Sequence, residues 1–99
     1  MEITVREENH KAAIVITGHL DTMTSPHASE ELMTAAEKYN EITLDIAKLD
    51  YVSSAGVRVL LDLYMRMYQK KGALHIINAS DSVTRVLKMT GLSSLLEMN

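Results

Sequence analysis

A chain of 99 residues, 46% apolar and 23% charged with a net charge of −3, has room for one domain and one modest core. That balance excludes a disordered chain, and the absence of cysteine excludes a disulfide scaffold, a zinc ribbon and a thiol catalyst. One proline and four glycines exclude collagen-like and linker-like chains, and no apolar run approaches the roughly 20 residues of a membrane span.

Ile3, Val5 and Glu7 alternate with Thr4, Arg6 and Glu8, the period of a half-exposed strand. Asn9-His10 reads as a turn. Lys11 to Thr17 has an apolar, partly β-branched centre and reads as a buried strand, so the chain opens with a hairpin. Gly18-His19-Leu20-Asp21 breaks the pattern. Ser25 is placed as the N-cap of a helix, with Pro26 at its first position and Leu32, Met33, Ala36 and Tyr39 inward. Ile42, Leu44 and Ile46 alternate in a third strand.

Leu49 to Ser54 reads as a loop. A long helix is expected from Ala55 to Lys71, with Val57, Leu60, Leu61, Tyr64, Met65 and Tyr68 as its apolar stripe. Val59, Leu63 and Met67 form a second row, expected against neighbouring helices. Gly72 stands where a left-handed residue would end the helix. Leu74 to Ile77 reads as a fourth strand. Ser80 or Asp81 caps a last helix, with Val83, Val86 and Leu87 inward and Gly91 as its stop. Leu92 to Met98 is left as a short helix or strand. The expected class is α/β, one domain over residues 1–99. Its order is β-β-α-β-α-β-α, with a mixed four- to five-stranded sheet covered by helices mainly on one face.

The charge is uneven along the chain. Residues 1–50 carry four basic and ten acidic side chains, and residues 51–99 carry six basic and three acidic. The basic residues are dispersed and not interleaved with aromatics, so nucleic-acid binding is not expected. His10, His19, His27 and His75 are widely spaced, so no metal site is expected. His10 and His27 are assigned to the surface and His75 to the sheet. The start, Met1-Glu2-Ile3-Thr4, is acidic early and unlike a signal peptide, so a cytoplasmic domain is expected.

The segment Asp50-Tyr51-Val52-Ser53-Ser54-Ala55-Gly56-Val57 concentrates the chemistry. Two hydroxyls precede a helix whose first turn is small. A helix N-terminus offers unpaired N–H groups and partial positive charge, a setting that holds phosphate, bound or covalent. The same pattern also fits a serine that is an N-cap and nothing more. A serine nucleophile would need a base held by an acid, and no Gly-x-Ser-x-Gly elbow is present. Gly18 and Asp21 lie in a loop that would neighbour Ser54 if the strands run parallel.

Gly18-His19-Leu20-Asp21, the stretch from Leu49 to Leu61 and Met89-Thr90-Gly91-Leu92 together resemble the STAS domain of anti-sigma factor antagonists and sulphate transporters. The resemblance implies a switch module that is not an enzyme and needs no cofactor. It implies an unmodified form that binds a serine kinase/anti-sigma factor of the GHKL ATPase type. Phosphorylation at Ser54, with Ser53 as the backup acceptor, would release that partner, and a PP2C-type phosphatase would reset it. Asp21, Ser53, Ser54, Ala55, Gly56, Arg58 and Val59 would meet the partner. Ser53 stands where the family motif carries aspartate, Ala55 where it carries a second hydroxyl, and Arg58 where glycine is frequent. The alternative is a non-switching STAS subunit docked on a transporter ATPase of the lipid-transport type. In either role no membrane contact is expected, and the polar-faced helices favour a monomer that forms hetero-complexes.

Overall fold

The computed structural model describes residues 1–92. Strands β1 (Glu2–Glu8) and β2 (Lys11–Leu20) form the hairpin, followed by helix α1 (Ser25–Lys38) and strand β3 (Glu41–Asp45). Strand β4 (Leu49–Val52), helix α2 (Ser54–Gln69), strand β5 (Ala73–Ile77) and helix α3 (Asp81–Met89) complete the order β-β-α-β-β-α-β-α. The sheet runs β1-β2-β3-β5, with β4 paired to the far end of β2. The hairpin is antiparallel, and β2, β3, β4 and β5 pair parallel, as crossovers through helices require. The expected segment from Leu92 to Met98 lies, beyond Leu92, outside the described residues.

In β3 the alternation read from the sequence decides the layers, whereas β2, expected as a buried strand, leaves Ala13 exposed and Val15 half-buried because no helix among the described residues covers the second face of the sheet. Ile14, Ile16, Ile42, Leu44 and Ile76 are buried towards the helices. Their neighbours Ala13, Val15, Thr43 and Asp45 line the open face of the sheet. The turn at Asn9-His10 has both residues at positive φ, 53° and 66°, the backbone of a tight two-residue hairpin turn.

Several expectations change. Leu49–Val52 is a strand, not a loop: only Leu49 and Val52 are buried, and four residues with two exposed between them carry no readable period. The segment Gly18–Leu20 does not break β2 but extends it. A bulge between Gly18 and His19 re-registers the strand so that Gly18 faces Leu49 and His19 faces Tyr51. Helix α1 begins at Ser25 with Thr24 at the cap, so Pro26 is its second residue and Ser25 is buried. The buried face of α2 is Gly56, Val57, Val59, Leu60, Leu63 and Met67, while Tyr64, Met65 and Tyr68 are exposed. The real core face is rotated by about 100° from the expected stripe, one residue's turn of the helix. Two overlapping apolar rows fit one helix, and its packing against α1, β4 and β5 selects between them.

The end of α2 illustrates the same point. Lys71, not Gly72, takes the left-handed conformation, with φ 62°. Gly72 is required by space instead: a Cβ there would lie 2.8 Å from the Asn40 carbonyl oxygen and 2.9 Å from Met67 Cε. Ser80 is the cap of α3, its Oγ accepting from Val83 N–H, and Gly91 ends that helix at φ 78°.

Helices α1 and α2 are tied at their C-terminal ends. Lys70 Nζ donates to the carbonyls of Ala36 at 2.6 Å and Tyr39 at 3.0 Å, satisfying acceptors that the end of α1 leaves open. Lys70→Met keeps the stem and removes the charge. It is expected to lower stability by about 1–2 kcal/mol, read as an unfolding midpoint in urea.

Candidate functional site

Parallel pairing of β2 with β4 brings the loop after one strand beside the start of α2. Leu20 faces Val52, and the Ser53 N–H donates to the Leu20 carbonyl at 2.9 Å. Gly56 then packs directly under Leu20. A Cβ at position 56 would lie 2.4 Å from the Leu20 carbonyl oxygen, so glycine alone permits this approach.

The two serines of the loop divide the roles. Ser53 is the N-cap in extended backbone, and its Oγ accepts from Gly56 N–H at 3.3 Å. Its carbonyl accepts from Val57 N–H at 2.9 Å, the first turn of the helix. Ser54 is the first helical residue and is exposed, and its hydroxyl makes no hydrogen bond among the described residues. No acidic side chain lies in the first turn of α2, so its positive end is not neutralised from within.

Asp21 lies in the neighbouring loop, but its Oδ1 is engaged there. It accepts from the backbone N–H groups of Met23 and Thr24, both at 3.0 Å, and lies 3.2 Å from Thr24 Oγ1. Thr24 closes the turn through Asp21 N–H, which donates to Thr24 Oγ1 at 2.9 Å. The Thr24 N–H, foremost, with the Thr24 hydroxyl, the Met23 N–H and nearby His19, holds the Asp21 carboxyl below its ordinary value against partial desolvation. A carboxyl with a depressed folded value stabilises the fold above the unfolded pKa. That contribution disappears as pH falls through the folded value. We therefore expect the Asp21 carboxyl carbon, followed by NMR, to titrate below the ~3.9 of a free aspartate. The Thr24 amide should shift with it, and a midpoint at or above the free value would show that the turn does not hold the carboxylate.

Arg58, one turn beyond Ser54, is exposed and donates from Nε to Asp62 Oδ1 at 3.0 Å. Ala55 is half-buried, whereas Gly56 and Val59 are buried. Ser54 and Arg58 are therefore exposed on the first turns of α2, with Ser53 and Ala55 half-buried beside them, and Asp21 follows Leu20, whose carbonyl holds the Ser53 N–H.

The pairing also assembles a group that the sequence reading did not join. His19 Nε2 lies 3.0 Å from Asp50 Oδ1, and its ring meets Tyr51 edge-on at 5.9 Å between centroids. The register His19 to Tyr51 was the missing signal, and a bulge conceals it from any reading of spacing alone. His10 and His27 are on the surface, and His75 is in β5, 3.9 Å from Glu41.

Fold and site together define a small α/β domain that presents a serine at an open helix start, beside the ends of two parallel strands. Residues 3–97 match the family model described as "Mlab, STAS domain", and the chain belongs to the STAS domain family. The anti-sigma-B factor antagonist of Listeria monocytogenes is 27% identical over 99 residues, covering 99% of this chain and 86% of its own. The fold is that of SpoIIAA, an anti-sigma factor antagonist solved in its unphosphorylated form. The TM-score is 0.84 at 19% identity, over 97% of this chain and 86% of that one. The Bacillus SpoIIAA in its phosphorylated form superposes with a TM-score of 0.78 at 18% identity, over 97% of this chain and 89% of that one. The chain is thus an anti-sigma-factor-antagonist-like STAS domain. No helix among the described residues is long and apolar enough to cross a membrane.

Proposed function

We propose that this domain is a phosphorylation-controlled binding switch of the cytoplasm, with Ser54 as the acceptor. The observation that carries the reading is the division of labour between the two serines: Ser53 caps α2, and Ser54 stands exposed with its hydroxyl unengaged among the described residues. A phosphate on Ser54 adds about −1.5 to −2 charges at the positive end of a 16-residue helix. The fold tolerates it there, since no side-chain carboxylate of the first turn opposes it. Arg58 can turn from Asp62 towards it, because that pair is exposed and contributes little.

A partner covering the helix start would have to bury the dianion. On the resemblance to anti-sigma factor antagonists, the partner of the unmodified form is a GHKL-type serine kinase that doubles as an anti-sigma factor, and modification of Ser54 releases it. A PP2C-type phosphatase restores binding. Relatives that are anti-sigma factor antagonists, and a structural neighbour solved in both phosphorylation states, support this reading. The test is the intact mass and peptide map of the protein from its host, with Ser54→Ala as control. One phosphate on Ser54 that the variant lacks supports the switch, and a phosphate on Ser53 instead reassigns the acceptor.

A second reading has its own observation. Ser54, Arg58, Leu61, Tyr64, Met65 and Tyr68 share one side of α2. Tyr64 stacks on Tyr68 at 6.2 Å, and Tyr68 is 71% exposed. A stripe of that kind suits a permanently docked STAS subunit on a transporter ATPase of the lipid-transport type. Co-purification with such an ATPase, unaffected by Ser54→Ala and without phosphate in any growth condition, would favour it.

A further inference from the structure

Strand β1 is the end of the sheet: it pairs β2 on one side and nothing among the described residues on the other. A free edge is a template for another strand, and natural edges are usually blocked by mismatched charge or by proline. The free edge of β1 is instead complementary to itself.

The hydrogen-bond phase of the edge follows from the hairpin. A two-residue turn makes Glu8 and Lys11 the closing hydrogen-bonded pair. Alternation then turns the backbone groups of Thr4 and Arg6 towards β2, and those of Ile3, Val5 and Glu7 outward. A second copy pairing antiparallel must therefore bond odd residues to odd residues.

Few registers satisfy that phase, and charge separates them. Centred on Val5, Glu2 would face Glu8 and Ile3 would face Glu7. Centred on Arg6, the guanidinium would face its own copy. Centred on Thr4, each Ile3 faces the other copy's Val5 as a hydrogen-bonded pair, and each Glu2 faces an Arg6 in the closer, non-hydrogen-bonded spacing. Opposite charges meet twice on the open face, and apolar pairs meet twice on the helix side.

The helix side has a place for those apolar groups. Val5 is 41% exposed for a β-branched residue, and Ile3 packs only partly against the core. A cleft of about 300 Å³ runs between β1 and α1, with Val5, Ala35 and Tyr39 on its apolar part and Glu7, Glu31, Thr34 and Lys38 on its polar part. The Ile3 side chain of a second copy, opposite Val5, covers that cleft. The two-fold axis stands perpendicular to the sheet, so both helix layers lie on one side.

We propose that two copies of this chain associate through antiparallel β1–β1 pairing centred on Thr4, joining their sheets into one. The edge shares no residue with the helix start at Ser54, so both copies keep that surface open. The sequence expectation of a monomer rested on the helix faces, which this contact does not use.

The chain has no cysteine, so a single introduced thiol reports the register. Thr4 and its copy would stand about 4.5 Å apart between Cα atoms, within disulfide range, while Glu8 and its copy would be roughly 26 Å apart. Mild oxidation of Thr4→Cys is expected to give a covalent dimer, and Glu8→Cys is expected to give none. In sedimentation across a wide concentration range, Arg6→Glu should raise the dimer dissociation constant about tenfold or more. Glu2→Arg combined with Arg6→Glu should restore it. Equal cross-linking of the two cysteine variants, or dimerisation unchanged by Arg6→Glu, overturns the proposal. All these positions are exposed, and circular dichroism confirms that each variant is folded.

Discussion

Gly56→Ala is expected to lower the stability of this domain by about 3 kcal/mol, although alanine is the better helix former. Two effects oppose each other. Alanine at the third position of α2 gains about 0.8–1 kcal/mol of intrinsic propensity over glycine. Against that, its Cβ would sit 2.4 Å from the Leu20 carbonyl oxygen and 2.9 Å from Leu20 Cγ. The nearer atom is backbone, held in the parallel pair of β2 with β4, and cannot rotate away. Relief requires the start of α2 to move off the sheet. That movement also strains the bond from Ser53 N–H to the same carbonyl. Overpacking therefore wins, and the melting temperature should fall by roughly 12–24 °C for a domain of this size. A fall of only a degree or two would mean that α2 is not seated on Leu20 as described. The variant should also broaden the amide signals of residues 53 to 57 before those of α1, because the strain is local.

Ser54→Asp is expected to leave stability unchanged or slightly raised, and to weaken the proposed kinase complex about a hundredfold. An acid in the first turn of a helix is stabilising by about 0.3–1 kcal/mol, and Ser54 is exposed, so the fold has no reason to object. The partner does: closing over the helix start strips water from a carboxylate with no cation committed to it. Arg58, the nearest candidate, is exposed and would have to leave Asp62 and lose its own water under the partner, so it offsets only part of that cost. Phosphate carries about twice that charge, so the effect of true modification should be larger. Ser53→Asp is the control. Aspartate is as good an N-cap as serine, its carboxylate would stay committed to the Gly56 N–H, and the family motif carries aspartate at this position. Calorimetric titration of the kinase with the three proteins should find Ser53→Asp close to wild type. Equal loss in both variants would make the effect one of general charge and not of the Ser54 position.

The readable parts of this chain are those in which local chemistry and tertiary role agree. β1 and β3 announce themselves by alternation, β2 and β5 by short apolar runs, and α3 by Ser80, its apolar side chains and Gly91. The loop carrying Ser53 and Ser54 stands out because hydroxyls and small residues meet a helix start. The unreadable parts are those in which two local solutions are equally good. Val59-Leu63-Met67 and Val57-Leu61-Tyr64-Tyr68 are both acceptable helix faces, and the exposed tyrosine pair shows that the more aromatic one lost. Lys71 adopts the backbone that glycine would find easier, because Gly72 is needed where Asn40 and Met67 leave no room for a Cβ.

By itself the sequence determined the α/β class, the face of the sheet that is covered, and the serine loop at the head of α2, since each follows from the period or composition of a few adjacent residues. Only the tertiary structure decided β4, the bulge at Gly18 that sets His19 against Tyr51, and which serine caps the helix and which stands free. Those depend on the pairing of strands some thirty residues apart. Such pairing is fixed by close approach between Gly56 and Leu20, and no local pattern records it.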